Sequence, residues 1–249
     1  MLRDDLTADA ALARAIASEA GALLLGLRDG RPDSGARGDA AANALILDRL
    51  RTARPEDYVL SEEAADDRRR CTQRRVWIVD PLDGTREFGE GRDDWAVHVG
   101  LAIDGVPAVG AVALPALGEL YDSATVAREP VRPGDRRLRI VVSRTRAPAI
   151  AERLAAVLDA DVVPLGSAGV KAMAVVAGRA DLYVHAGGQH EWDNCAPVAV
   201  ALAAGLVATR LHGTPIVYNC ADTLVPDLLI APPDLAHRIA AVVSADNLG

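Results

Sequence analysis

Apolar residues recur at helical spacing near the start of the chain and as short strand-like runs further on. From Thr7 to Leu27 they fall at Leu12, Ile16, Leu23, Leu24 and Leu27, with Gly30 beyond, a pattern that predicts a helix. A second helix is predicted over Ala40–Leu50, with Leu45, Ile46 and Leu50 inward and Asp39 just before it. The texture then changes. Tyr58-Val59-Leu60 and Val76-Trp77-Ile78-Val79 are short apolar runs, each leading into carboxylates. Ala96 to Ile103 and Val106 to Leu114 flank Asp104-Gly105, a two-residue hairpin turn, and Leu120-Tyr121 adds a short strand.

Glu129 to Arg137, with Pro130, Pro133 and Gly134, is polar and rich in turn formers. It divides an N-terminal α+β half, residues 1–130, from a C-terminal half, residues 131–249. Beyond it strands and helices alternate. Strands are predicted at Leu138–Val142, Val162–Leu165, Asp181–His185 and Leu228–Ile230, and helices at Pro148–Leu158, Ala168–Ala177, Asp193–Ala204 and Leu235–Val243. Such alternation implies an α/β half with helices on both faces of its sheet.

Composition narrows the class. With 249 residues, 50% of them apolar and 25% charged, the chain can build a sizeable core. A net charge of −8 argues against a nucleic-acid partner, whose binders are normally basic. No apolar run reaches the roughly 18 residues of a membrane span, and the longest, Ala196–Thr209, is interrupted by Pro197 and Gly205. Asp4, Asp5 and Asp9 stand where an export signal would be basic. Cys71, Cys195 and Cys220 fit neither a disulfide framework nor a zinc site, so a cytoplasmic protein is expected. Among 27 cations only Lys171 is a lysine.

The chemistry lies in carboxylates placed where strands end or helices begin: Glu62, Asp80, Asp83 and Asp193, with Asp39 before a helix. Pro81 has no N–H for a sheet ladder, so the strand is expected to stop near Asp80. Gly84 permits a tight turn, and Thr85 follows with a hydroxyl beside exposed amides. Two aspartates three apart on one rigid turn can share a hard cation such as magnesium, and a phosphate can meet the Gly84 and Thr85 amides on its other side. Singly, Asp-Pro and Asp-Gly are ordinary turn punctuation. Together with Trp192-Asp193-Asn194-Cys195-Ala196-Pro197 downstream, they form a pattern that turn punctuation does not explain.

Val79 to Phe88, in the form Asp-Pro-Leu-Asp-Gly-Thr-x-x-Phe, resembles the first motif of the inositol monophosphatase superfamily, the lithium-sensitive magnesium-dependent phosphatases. Trp192-Asp193-x-Cys-Ala resembles the second. Ser61-Glu62-Glu63, Gly38-Asp39, Gly166-Ser167-Ala168, Ala177-Gly178-Arg179-Ala180-Asp181 and Tyr183 follow in the family's order. The resemblance implies an α-β-α-β-α layered sandwich holding two or three Mg2+ ions. It implies Glu62, Asp80, the Leu82 carbonyl, Asp83 and Asp193 as metal ligands, and Asp39 with Thr85 as the pair that positions and deprotonates the attacking water. A phosphate monoester repels hydroxide and the chain is itself acidic, so bound cations would have to supply the local positive charge.

Arg86-Glu87-Phe88 after the turn resembles the 3′(2′),5′-bisphosphate nucleotidases of the CysQ kind, and His185 stands where inositol phosphatases carry an inositol-binding glutamate. Ser143-Arg144-Thr145-Arg146 is similar to that group's Ser-Arg-Ser-His element, and Lys171 matches a lysine at a helix start. The resemblance thus implies a small phosphorylated substrate, 3′-phosphoadenosine 5′-phosphate, contacted by Gly84, Thr85, Arg86, Arg144, Arg146, Ser167, Lys171 and His185. An inositol or sugar phosphatase of the same fold, or a silent regulator that binds metal or nucleotide, are the alternatives. Members of the family are often homodimers, and no residue pattern here fixes the oligomer.

Overall fold

The computed structural model describes residues 6–31, 33–127 and 137–246. The polar stretch that begins at Glu129, and with it the boundary between the two halves, lies outside the described residues except for Arg137.

Two long helices open the chain, α1 (Leu6–Leu27) and α2 (Ser34–Ala53). Five strands follow: β1 (Tyr58–Ser61), β2 (Arg75–Asp83), β3 (Ala96–Ile103), β4 (Val106–Leu114) and β5 (Glu119–Asp122). They form one sheet in the order β1-β2-β3-β4-β5, antiparallel except for the parallel β1/β2 pair. The short helix α3 (Thr85–Gly89) leaves the end of β2. The second half contains β6 (Leu138–Ser143), α4 (Ala149–Leu158), β7 (Ala160–Leu165), α5 (Ala168–Val176) and β8 (Leu182–His190). It ends with α6 (Glu191–Ala203), β9 (Val207–Thr209), β10 (Leu224–Ala231) and α7 (Pro233–Asp246). Its mixed sheet runs β7-β6-β8-β10-β9.

Burial explains the stacking. Helices α1 and α2 cover one face of the first sheet, while α5 and α6 lie between the two sheets and α4 and α7 pack outside the second. The α-β-α-β-α order that the resemblance implies is therefore the architecture. Three apolar layers glue it: Ile16, Leu24, Ile46, Trp77 and Val99 in the first, Ile78, Val112, Met173, Val198 and Ile230 in the middle, and Ile140, Leu154, Leu229 and Ile239 in the last.

Helix α1 is long and apolar enough, by length and composition, to cross a membrane, which the apolar-run reading of the sequence missed. In the fold Ala13, Ile16, Ala17, Ala20 and Leu24 are fully buried against the first sheet and α2. Asp9 is also buried, accepting from Arg54 Nε at 2.8 Å and Arg75 Nη2 at 2.9 Å, so it pins the helix to β2.

Two sequence expectations need correction. Helix α2 begins at Ser34 rather than Ala40, so Asp39 is inside it. Gly35 and Gly38 lie in its first turns, where α2 closes on Thr85 and Phe88, contacts a side chain would crowd. Strand β2 does not stop at Asp80. It bulges at Pro81-Leu82 and resumes pairing at Asp83 opposite Ala96. Its other neighbour, β1, pairs no further than Ser61 with Val79, so proline's missing N–H breaks no ladder on that side. The apolar run Ala196–Thr209 divides at Gly205, where the predicted helix ends, and a short strand the sequence did not predict, β9, follows the turn.

The middle layer is tight where α6 crosses the first sheet. A Cβ on Gly110 of β4 would collide with the Ala196 carbonyl oxygen and stand 2.9 Å from Ala199 Cβ. Neither neighbour can yield without moving the helix. Overpacking of this kind costs about 1–3 kcal/mol or more, and roughly 2–4 °C is lost per kcal/mol in a chain of this size. Gly110→Ala should therefore lower the melting temperature by several degrees in a thermal unfolding scan. An unchanged melting temperature would show that the two layers are not in van der Waals contact there.

Candidate active site

The site forms where four chain segments meet: the end of β2 with the start of α3, the first turn of α5, the end of β8, and the first turn of α6. The Asp80, Asp83 and Asp193 carboxylates converge so that one oxygen of each lies within 4.8 Å of the others. Asp80 is 1% exposed and Asp83 7%. Leu82 donates its N–H to Asp80 Oδ1 at 3.0 Å, so the bulge itself orients that side chain. Asp193 sits in the first turn of α6 and accepts the His190 N–H at 2.5 Å, which closes the helix start around it.

Crowded, buried carboxylates hold protons. Burial first, and then the charges of Asp83, Glu62 and Asp193, push Asp80 well above the usual carboxylate range. Asp193 is pushed up to about 7 by burial and by Asp83. Glu62 opens to solvent on one side but faces the cluster on the other; desolvation, then Asp39 and Asp83, push it up to about 7. Asp83 goes the other way. Burial alone would raise it, but His98, Lys171 and the Gly169 N–H at 2.7 Å from Oδ2 hold it below its ordinary value. His98 is fully buried, with Nε2 3.2 Å from Asp83 Oδ2 and Nδ1 bonded to the Trp192 carbonyl at 3.2 Å.

Asp39 completes the acidic group from α2. Desolvation and Glu63 push it up to about 7 against the pull of Thr85. Thr85 Oγ1 stands 3.2 Å from Asp39 Oδ2 and 3.0 Å from the Leu82 carbonyl oxygen, both acceptors for its single proton. Asp39 Oδ1 is buried without a hydrogen-bond partner among the described residues. The donor set of carboxylates and a carbonyl is hard, anionic and partly orphaned. It fits a divalent cation of the magnesium type better than any neutral arrangement.

Beside the cluster lies a cavity of about 590 Å3 whose walls include Asp83, Gly84, Thr85, Arg86, Arg146, Ser167, Lys171, His185 and Asp193. Gly84 adopts φ +90°, a conformation side chains rarely take, and a Cβ there would press on Ser167 and Trp95. Ser167 caps α5, its Oγ accepting the Val170 N–H at 3.0 Å. A larger cavity of about 720 Å3, walled by Leu117, Val141 and Val170 among others, contains none of the clustered carboxylates.

The expected substrate cations separate into three kinds. Arg146 is exposed and lines the cavity without an ion-pair partner among the described residues, and Arg86 lines it as well. Arg144 is not among the lining residues: Glu87 and Glu90 capture its guanidinium, each at 2.8 Å from Nη2. Lys171 is 3% exposed, its Nζ donating to the carbonyls of Gly166 and Ser167, the latter at 2.7 Å, over the Tyr183 ring. Burial pushes its ammonium down to about 8 against the pull of Asp83 and Glu87. His185 is pushed down to about 4, mainly by burial, and its Nε2 meets the Gly187 carbonyl at 2.7 Å.

His98 and Gln189, which the sequence assigned no role, also line or brace the site, as do Glu87, Ser143 and Thr145, which it placed only inside motifs. For His98 a signal existed. The antiparallel β2/β3 pairing sets it directly opposite Asp80, and a histidine facing a clustered aspartate across a ladder is a neighbour by geometry.

A family model for the inositol monophosphatase family matches residues 15–247. The chain is 49% identical over 252 residues to the 3′-phosphoadenosine 5′-phosphate phosphatase of Mycobacterium leprae, covering 94% of this chain and 93% of that protein. It is 35% identical over 192 residues to the 3′(2′),5′-bisphosphate nucleotidase CysQ of Escherichia coli, covering 73% and 78%. Among solved structures, CysQ from Bacteroides thetaiotaomicron superposes with a TM-score of 0.77 at 25% identity, covering 90% of this chain and 97% of that one.

The raised carboxylates make stability depend on pH. In the metal-free protein Asp39, Glu62 and Asp193 bind protons up to about 7, whereas in the unfolded chain they lose them in the ordinary carboxylate range. Between those values the folded state holds more protons, so stability must fall as pH rises. With chelator present, the melting temperature should drop between about pH 5 and pH 8, and Asp193→Asn should flatten the slope. A melting temperature that climbs over this window would mean the carboxylates are not mutually crowded.

Proposed function

The chain belongs to the inositol monophosphatase family, a family of metal-dependent phosphatases, and from that premise we propose that it removes the 3′-phosphate of 3′-phosphoadenosine 5′-phosphate, giving AMP and phosphate. The observation that carries this reading is the convergence of Asp80, Asp83 and Asp193 beside a cavity lined by Arg146, which has no ion-pair partner among the described residues. The names of the relatives support the substrate.

Mg2+ is the cation we assign to the cluster, held by Glu62, Asp80, the Leu82 carbonyl, Asp83 and Asp193. When bound, it supplies the positive charge that lowers the pKa of water and neutralises charge growing on the leaving oxygen. The protein's own groups do the rest. Thr85, fixed between Asp39 and the Leu82 carbonyl, orients the attacking water, and Asp39 takes its proton. A base near 7 is well matched to that transfer close to neutral pH. As the new P–O bond forms, the bond from phosphorus to O3′ breaks, and the leaving oxygen is protonated from solvent.

Arg146 holds the 5′-phosphate, which does not react. Arg86 and the start of α3 at Gly84-Thr85 face the 3′-phosphate. Lys171 adds charge to the cavity while shaping the Gly166-Ser167 turn. His185, kept neutral, offers a polar edge to the nucleoside rather than a cation to phosphate. The working compartment we assign is the cytoplasm, in keeping with three free cysteines.

Phosphate release should be measured on 3′-phosphoadenosine 5′-phosphate, adenosine 3′-phosphate and inositol 1-phosphate, with Mg2+ or with excess chelator. The bisphosphate should be the best substrate by kcat/KM, and chelator should abolish turnover. Asp83→Asn keeps the shape but removes a charged ligand, so kcat should fall about a hundredfold or more with the circular dichroism spectrum unchanged. Undiminished turnover in chelator would sink the metal assignment. Faster hydrolysis of inositol 1-phosphate would overturn the substrate.

A further inference from the structure

Two residues that the sequence placed in separate substrate motifs meet each other instead. Glu87 comes from α3 in the first half and is 7% exposed. Arg144 follows directly on β6 in the second half, and its Nε and Nη2 lie 3.3 and 2.8 Å from Glu87 Oε1. Glu90, one turn along, takes Arg144 Nη2 from the other side at 2.8 Å. Arg144's backbone stays in the second sheet, donating to the Leu165 carbonyl at 2.9 Å and extending the β6/β7 pairing. Its side chain therefore reaches out of one half to grip the other. Room for the contact comes from Gly166, where a Cβ would stand 2.5 Å from Glu87 Cγ.

The turn that follows is short and closed. Arg146 donates its N–H to Ser143 Oγ at 3.3 Å, which ties residue 146 back to the end of β6. Ser143, Thr145 and Arg146 line the cavity, and the guanidinium of Arg146 lies over Gly188 of β8. We propose that the Glu87–Arg144 ion pair is a latch between the halves that sets the position of Arg146 over the cavity, making both members positioning residues for recognition of the substrate's second phosphate. The proposal rests on the reading that Arg146 contacts that phosphate.

The physical logic is that of a nearly buried carboxylate tied to a half-buried guanidinium. Removing Arg144 leaves Glu87 poorly compensated beside the cavity, where its charge repels an incoming phosphate and its side chain is free to turn toward Arg146. The loss falls on binding of a group that does not react, so it belongs in KM rather than kcat.

Four variants decide it: Arg144→Gln, Glu87→Gln, the two combined, and Arg146→Gln, each assayed on 3′-phosphoadenosine 5′-phosphate and on adenosine 3′-phosphate. Arg144→Gln should raise KM for the bisphosphate about tenfold, with kcat within about twofold and both constants for adenosine 3′-phosphate close to the parent's. In the Glu87→Gln background, adding Arg144→Gln should change KM far less than it does alone, since one interaction is lost only once. Arg144→Lys, which keeps the charge but not the fork, should fall between parent and Arg144→Gln. If Arg146→Gln raises KM for the bisphosphate alone while Arg144→Gln does nothing, or shifts both substrates equally, the latch is overturned. If Arg146→Gln leaves the bisphosphate unaffected, the assignment of the second phosphate fails and takes the latch with it.

Discussion

Asp80, Asp83 and Asp193 repel one another in a place where water cannot screen them, and most of the surrounding structure answers to that repulsion. Asp80 and Asp83 arrive on one bulged strand, and Asp193 arrives on the helix that crosses it between the two sheets. The Leu82, Gly169 and His190 amides each point an N–H at one of the three carboxylates. His98 and Lys171 compensate Asp83 most directly, which is why that group stays low while its neighbours rise. The fold supplies partial answers from every side and leaves a net deficit of positive charge, the condition under which a divalent cation binds.

The same arrangement makes the middle helical layer the mechanical centre of the molecule. Helix α6 packs on the first sheet closely enough to exclude side chains at Gly110, and it carries Asp193 at its start. Glu191, 1% exposed, accepts the Asn219 and Cys220 amides, fixing the start of that helix to the loop before β10. Any shift of the layer moves Asp193 relative to Asp80 and Asp83. Packing and chemistry are therefore set by the same contacts, and the ion pair from Arg144 to Glu87 adds a second tie between the halves at the cavity rim.

Much of this is legible in the amino-acid sequence. The hairpin at Asp104-Gly105, the alternating second half and the Asp80-to-Thr85 turn follow from local rules, because turn chemistry and periodicity act over a few residues. What the sequence hid depended on partners far along the chain. The predicted start at Ala40 leaves out the turn through Gly35 and Gly38, whose reason is the packing of Thr85 and Phe88 against them. Pro81 looks like a strand end until β1 is seen to stop pairing at Val79. Arg144 and Lys171 read alike as cations for phosphate. Their fates diverge because Glu87 and Glu90 lie within reach of one, and two carbonyls of its own helix start hold the other.

The carboxylate cluster holds protons when empty, and a cation that binds there must displace them. Calorimetric titration of Mg2+ into metal-free protein, repeated in buffers of different ionisation enthalpy, measures that exchange directly. Near pH 7, where Asp39, Glu62 and Asp193 are each close to half-protonated, binding should release protons, and the release should fade by about pH 9 as affinity rises. Mg2+ binding at pH 7 with no proton release would contradict the account, because it would mean the carboxylates were already ionised and were not holding one another's protons in place.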